Sequence, residues 1–68
     1  MIIEFNRITK DGGRVPCSIP AEDISAIEIS DRDGETTVIR TERGVICIEE
    51  PYAVAVAMWR RGRGEVSI

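Results

Sequence analysis

The chain has 68 residues, a formal net charge of −3 and no histidine. This length points to one domain over residues 1–68, with a core that is marginal without a disulfide, a structural metal or self-association to supplement it. The acidic balance argues against nonspecific polyanion binding by the whole domain, and the missing histidine removes the commonest general base and a common zinc ligand.

No run approaches the roughly 18 apolar residues needed to span a bilayer. The opening stretch carries Glu4 and Arg7, too early for the apolar segment of a signal peptide. The expectation is a cytoplasmic protein of a bacterial or phage-infected cell, with no membrane partner.

Met1 to Thr9 reads as a strand, with Ile3, Phe5 and Arg7 on one face and Ile2, Glu4, Asn6 and Ile8 on the other. Lys10-Asp11-Gly12-Gly13 suits a tight turn, and a second strand follows at Arg14 to Ile19 with Val15, Cys17 and Ile19 on one face. Pro16 has no backbone N–H to contribute to a ladder, which places this strand at a sheet edge. Ile19 to Asp23 reads as a turn, with a single helical turn begun at Pro20 as one form of it.

Ile24 to Ser30 is expected as a third strand, Ile24 and Ala26 on one face and Ile27 and Ile29 on the other. The polar run Asp31 to Glu35 turns the chain into a fourth strand, Thr36 to Glu42, rich in β-branched residues. Arg43-Gly44 turns it again into a fifth, Val45 to Glu49. The fold class expected is α+β, a small antiparallel β-sheet or partly open barrel of about five strands followed by one C-terminal helix.

That helix is predicted from Pro51 to Arg61. Proline suits a first turn, Glu49 and Glu50 complement the positive helix end, Arg60 and Arg61 the negative one, and Gly62 is expected as the left-handed terminator. At 3.6 residues per turn, Tyr52, Ala55, Val56 and Trp59 form the stripe expected on the sheet. The opposite side is apolar too, carrying Val54, Ala57 and Met58, and no charge occurs between Pro51 and Arg60. A two-layer domain this short has nothing left to cover that second face, so a symmetric partner is the economical answer, and Val54, Ala57, Met58 and Trp59 are the candidate oligomer interface. The terminal Val66 and Ile68 alternate weakly, as a frayed end or a short added strand would.

The other two supplements are weaker. Cys17 and Cys47 each lie among alternating strand residues, where free cysteine acts as a small buried hydrophobe, a bridge between them being the alternative. Asp31, Asp33 and Glu42 have calcium-loop spacing, but the glycine required at the sixth position is replaced by Thr36. No metal or other cofactor is expected. Without a Gly-x-Ser-x-Gly, P-loop or dinucleotide motif, and with Glu22, Asp23, Asp31, Asp33, Glu49 and Glu50 explained as turn, edge and helix-start charges, the chain is not expected to be an enzyme. Arg60, Arg61 and Arg63 beside Trp59 make the one basic cluster, suited either to helix-end capping or to nucleic acid or phosphate. Arg7, Arg14, Arg40 and Arg43 could join it if the fold gathered them on one face.

Three segments together, Ile19-Pro20-Ala21-Glu22-Asp23-Ile24-Ser25-Ala26-Ile27-Glu28, Thr36-Thr37-Val38-Ile39-Arg40-Thr41 and Gly44-Val45-Ile46-Cys47-Ile48-Glu49-Glu50, form an outline that resembles the small FlbD-type proteins found among bacterial flagellar genes. The resemblance implies their strand-and-turn order ending in a helix, and a non-enzymatic, regulatory role. The chain departs from the pattern at Pro16, in the apolar helix Tyr52 to Trp59 and in the arginine-glycine tail. Five strands followed by a helix is also similar in outline to the small CsrA-type RNA-binding dimers, an analogy of fold alone.

The function expected is therefore a small interaction or regulatory module, homo-oligomeric (dimer or higher) through its helix and engaging a protein partner of unknown identity. The alternatives are a nucleic-acid-binding module using Arg60, Arg61 and Arg63, and a phage-type small inhibitor that sits on a host protein through its acidic surface.

Overall fold

The computed structural model describes residues 1–64; the expected alternation at Val66 and Ile68 lies outside them. Five antiparallel strands, β1 (Ile2–Ile8), β2 (Arg14–Pro20), β3 (Ile24–Ile29), β4 (Thr37–Thr41) and β5 (Gly44–Ile48), form one open sheet in the order β2-β1-β5-β4-β3. The helix α1 (Tyr52–Gly62) follows, so the expected α+β architecture is present.

The sheet has two parts, the β1–β2 hairpin and the β3–β4–β5 meander, joined by the single pairing of Arg7 with Ile48. Although β2 and β3 are opposite edges, only the 3₁₀ turn Ala21–Asp23 separates them in the chain. The sheet therefore bends around one core, in which Phe5, Ile19, Ile27, Ile39 and Ile48 are buried together with Ala21 and Ala55.

Asn6 shows why Pro16 is tolerated. The N–H of Glu49 donates to the Asn6 carbonyl at 2.8 Å, and the Asn6 N–H donates to the Glu50 carboxylate at 3.0 and 3.1 Å, so both backbone groups of Asn6 point toward β5. Pro16 is paired with Asn6, and Pro20 with Ile2, two positions of like parity. Antiparallel alternation turns the backbone nitrogens of both prolines to the outer edge, where a missing N–H costs no ladder bond.

One expected face assignment changes, and so does the expected burial of Cys47. A register shift between Ile24 and Ala26 inserts Ser25 as an extra residue in β3, its hydroxyl donating to the Arg40 carbonyl at 3.1 Å. This bulge reverses the alternation, so Ile24 and Ile27 share the core face. In β5 the inward positions belong to Ile46 and Ile48, which leaves Cys47 exposed across from Val38. Cys17 is half-buried against the core, and both thiols are free.

The turn between β3 and β4 is held by Asp33. One carboxylate oxygen accepts from the N–H groups of Glu35 and Thr36 at 2.9 Å each, and the other accepts from the Thr36 hydroxyl. These bonds, the hydroxyl's foremost, hold the Asp33 carboxyl down at about 2.

The joint between β5 and α1 is stitched in a similar way. Thr37, a buried polar residue, donates its hydroxyl to the Glu50 carbonyl at 2.6 Å, while the Glu50 carboxylate also accepts from Asn6 Nδ2 at 3.0 Å. Glu50 thereby ties the start of the helix to β1 and β4.

Pro51 caps the helix rather than entering it, its carbonyl accepting from the Ala55 N–H at 2.9 Å. At the other end Arg63 is the C-cap and Gly64 takes the left-handed conformation, φ 83°. The Gly64 N–H reaches the Arg61 carbonyl at 3.1 Å, one of the two bonds of a Schellman ending. Gly62, expected in that role, is instead the last helical residue, and its need for hydrogen as a side chain has another cause.

Candidate functional site

A Cβ added to Gly62 would stand 2.8 Å from Ile3 Cδ1 and 3.3 Å from the Ala21 Cβ. The absent side chain lets the C-terminal half of α1 settle directly on β1 and the 3₁₀ turn. With the line Ala55–Gly62 closest to the sheet, the helix is rotated from the orientation its apolar pattern suggests. Ala55 is fully buried, Val56, Met58 and Trp59 pack against the core from its flanks, and Tyr52 in the first turn is left 42% exposed.

This rotation divides the expected interface residues. Val54, 47% exposed, and Ala57 face outward as anticipated, joined by Ala53 and Tyr52. Met58 turns inward, and Trp59 keeps to the sheet side, where its stripe with Ala55 and Val56 also placed it. The Trp59 indole N–H donates to the Ala21 carbonyl at 3.2 Å, and the Arg63 guanidinium lies over its ring, 4.8 Å from the centroid. Trp59 is thus engaged within its own chain through both its N–H and one ring face.

The outer face of α1 is a continuous apolar strip, Tyr52, Ala53, Val54 and Ala57, closed by exposed Arg60 and Arg61 at one end and preceded by Glu49 and Glu50 at the other. Beside it, Met1 and Ile2 are among the most exposed large apolar residues, and with Met58 and Arg61 they line a shallow depression of about 550 Å³ between the helix and the start of β1. The helix does not rise to the length and hydropathy needed to cross a membrane, nor does any other among the described residues.

Arg14 pairs with Glu49 at 3.3 Å and Arg40 with Glu28, so two of the four strand-associated arginines are neutralised where they stand. Arg60 and Arg61 have no carboxylate within 4.0 Å among the described residues, while Arg63 rests on Trp59. Of the carboxylates with calcium-loop spacing, Asp33 is occupied by its own turn, and no cluster of three or more ligating side chains occurs among the described residues.

Set against known families, curated proteins and solved structures, the chain matches none. The site is read from its own geometry.

Ala53 and Tyr52 were absent from the interface expected on periodicity. The signal that locates them is the small-residue line Ala55 and Gly62, seven residues apart on one side of the helix, which marks where the backbone comes closest to the sheet and hence which side is left outward.

Proposed function

We propose that this chain is a non-enzymatic interaction or regulatory module that works as a homo-oligomer, assembled through the outer face of α1. The observation that carries the reading is the exposure of Tyr52, Ala53, Val54 and Ala57 on a helix that bears no charge between Pro51 and Arg60. A surface helix normally places charged residues on its solvent side, and a second apolar face signals a second contact.

The sheet edges favour the helix as the assembly surface. Pro16 and Pro20 remove outward donors from β2, and the bulge at Ser25 interrupts β3, both devices that discourage strand addition. Self-association would also supply burial that a core of this size lacks. The regulatory part of the proposal rests on the outline similarity to FlbD-type proteins, with an unidentified protein as the downstream partner.

Nucleic-acid binding is the weaker reading, because Arg14 and Arg40 are ion-paired and Trp59 is engaged by Ala21 and Arg63. Sedimentation equilibrium tests the main proposal. A dimer or larger species at micromolar concentration is expected, and a monomer throughout that range would refute it.

A further inference from the structure

We infer that two copies of α1 pack antiparallel about a two-fold axis near Ala57, so that the basic end of each helix lies against the acidic start of the other. This rests on the helix-mediated assembly proposed above and adds its orientation.

Charge is the first reason. The exposed strip is apolar in its middle and of opposite sign at its ends. Glu49 and Glu50 precede the helix, and Arg60 and Arg61 occupy its last turn. Glu49 shares its charge with Arg14 at 3.3 Å, but Glu50 has no cationic partner among the described residues, its carboxylate accepting only from Asn6. Arg60 and Arg61 similarly lack an anionic partner there. Among the described residues, Glu50 at one pole and Arg60 and Arg61 at the other therefore have no oppositely charged partner. An antiparallel pair brings Arg60 and Arg61 of the partner subunit to the Glu50 end of the strip, level with Val54 and Ala53, whereas a parallel pair sets arginine against arginine. The helix macrodipoles add in the same sense, each positive end meeting a negative one.

Side-chain size is the second reason. Ala53 and Ala57 lie one turn apart on the exposed face. Small residues at a crossing let helix axes approach toward the short end of the 8–10 Å range, roughly 8 Å. With the axis near Ala57, the two Ala57 residues meet each other, Ala53 lies opposite Arg61 of the partner subunit, and Val54 fills the flank of the contact. The interface is isologous, with every contact made twice.

Cysteine cross-linking in a Cys17→Ala, Cys47→Ala background tests the orientation. Ala57→Cys is expected to give a disulfide-linked dimer under mild oxidation. Ala53→Cys is expected to give none, because its two copies stand about 12 Å apart along an antiparallel pair, beyond disulfide reach. Cross-linking of Ala53→Cys as readily as Ala57→Cys would overturn the inference.

The unmodified chain supplies a second measurement independent of those variants. Opposed charges at the interface make the dissociation constant rise several-fold from low to high salt, whereas a parallel pair makes it fall. A dimer with the wrong cross-links or the wrong salt response refutes the antiparallel orientation and leaves the assembly standing. A chain that is monomeric at micromolar concentration refutes both.

Discussion

Gly62 lies against Ile3 so closely that a single added carbon would stand 2.8 Å from Ile3 Cδ1 and 2.9 Å from Cγ1. That contact sets the rotation of α1, and so determines which helical residues are core and which are surface. Gly62→Ala would gain about 1 kcal/mol of helix propensity. It would overpack the junction at a cost of about 1–3 kcal/mol. A net loss of stability is expected in urea denaturation. Ile3→Val in the same chain removes the nearest carbon, so the double variant should lose less than the two single losses together.

The hydroxyl of Thr37 is buried and donates to the Glu50 carbonyl. Thr37→Val keeps the shape and leaves that carbonyl without its donor, and is expected to cost about 1–2 kcal/mol. Thr37→Ser keeps the donor and should restore part of the loss. Equal stability of the valine and wild-type chains in chemical denaturation would show that Thr37 does not anchor the helix start.

Asp33 predicts an acid limb to stability. Its carboxyl is held at about 2 in the fold against an ordinary value of 3.8. The ionised form is the one the turn stabilises, so the contribution is fully present above about pH 4 and is lost as pH falls from there through about 2. Asp11 is shifted in the same direction by the Thr9 hydroxyl and the Gly13 N–H, which reinforces the trend. Asp33→Asn should flatten the change in denaturation midpoint between pH 5 and pH 2. An unchanged slope in that variant would remove Asp33 as its source.

Pro16 is a prediction about solubility rather than folding. Pro16→Thr supplies an outward N–H on the edge of β2 without removing a ladder bond, so the thermal midpoint should change little while light scattering rises with concentration. Scattering equal to wild type would show that Pro16 does not guard this edge.

The succession of elements along the chain was readable because each turn carries its own chemistry, glycine in the β1–β2 hairpin and in both turns of the meander, and Pro16 located an edge from a single missing donor, whereas the pairing of β1 with β5 left no local signal. Face assignments were less readable. The parity of β3 depends on one inserted residue, Ser25, whose hydrogen bond to Arg40 is a tertiary fact invisible in the alternation of apolar residues. In β5 both candidate faces carry apolar side chains, and the larger isoleucines took the core from Cys47. The helix face was partly readable for a similar reason. An all-round apolar helix has no polar side to orient it, so the close approach at Gly62 decides, and it moved Met58 inward and Tyr52 outward.

The outer face of α1 is tested most directly by sedimentation velocity on three chains side by side: wild type, Val54→Glu and Val45→Glu. Val45 is 55% exposed on β5, away from the helix, and serves as the control for adding a charge to an exposed apolar position. The account predicts that wild type and Val45→Glu sediment as the same oligomer, while Val54→Glu is a folded monomer by circular dichroism. A Val54→Glu chain that assembles like wild type, or a wild-type chain that is itself monomeric at micromolar concentration, would contradict it.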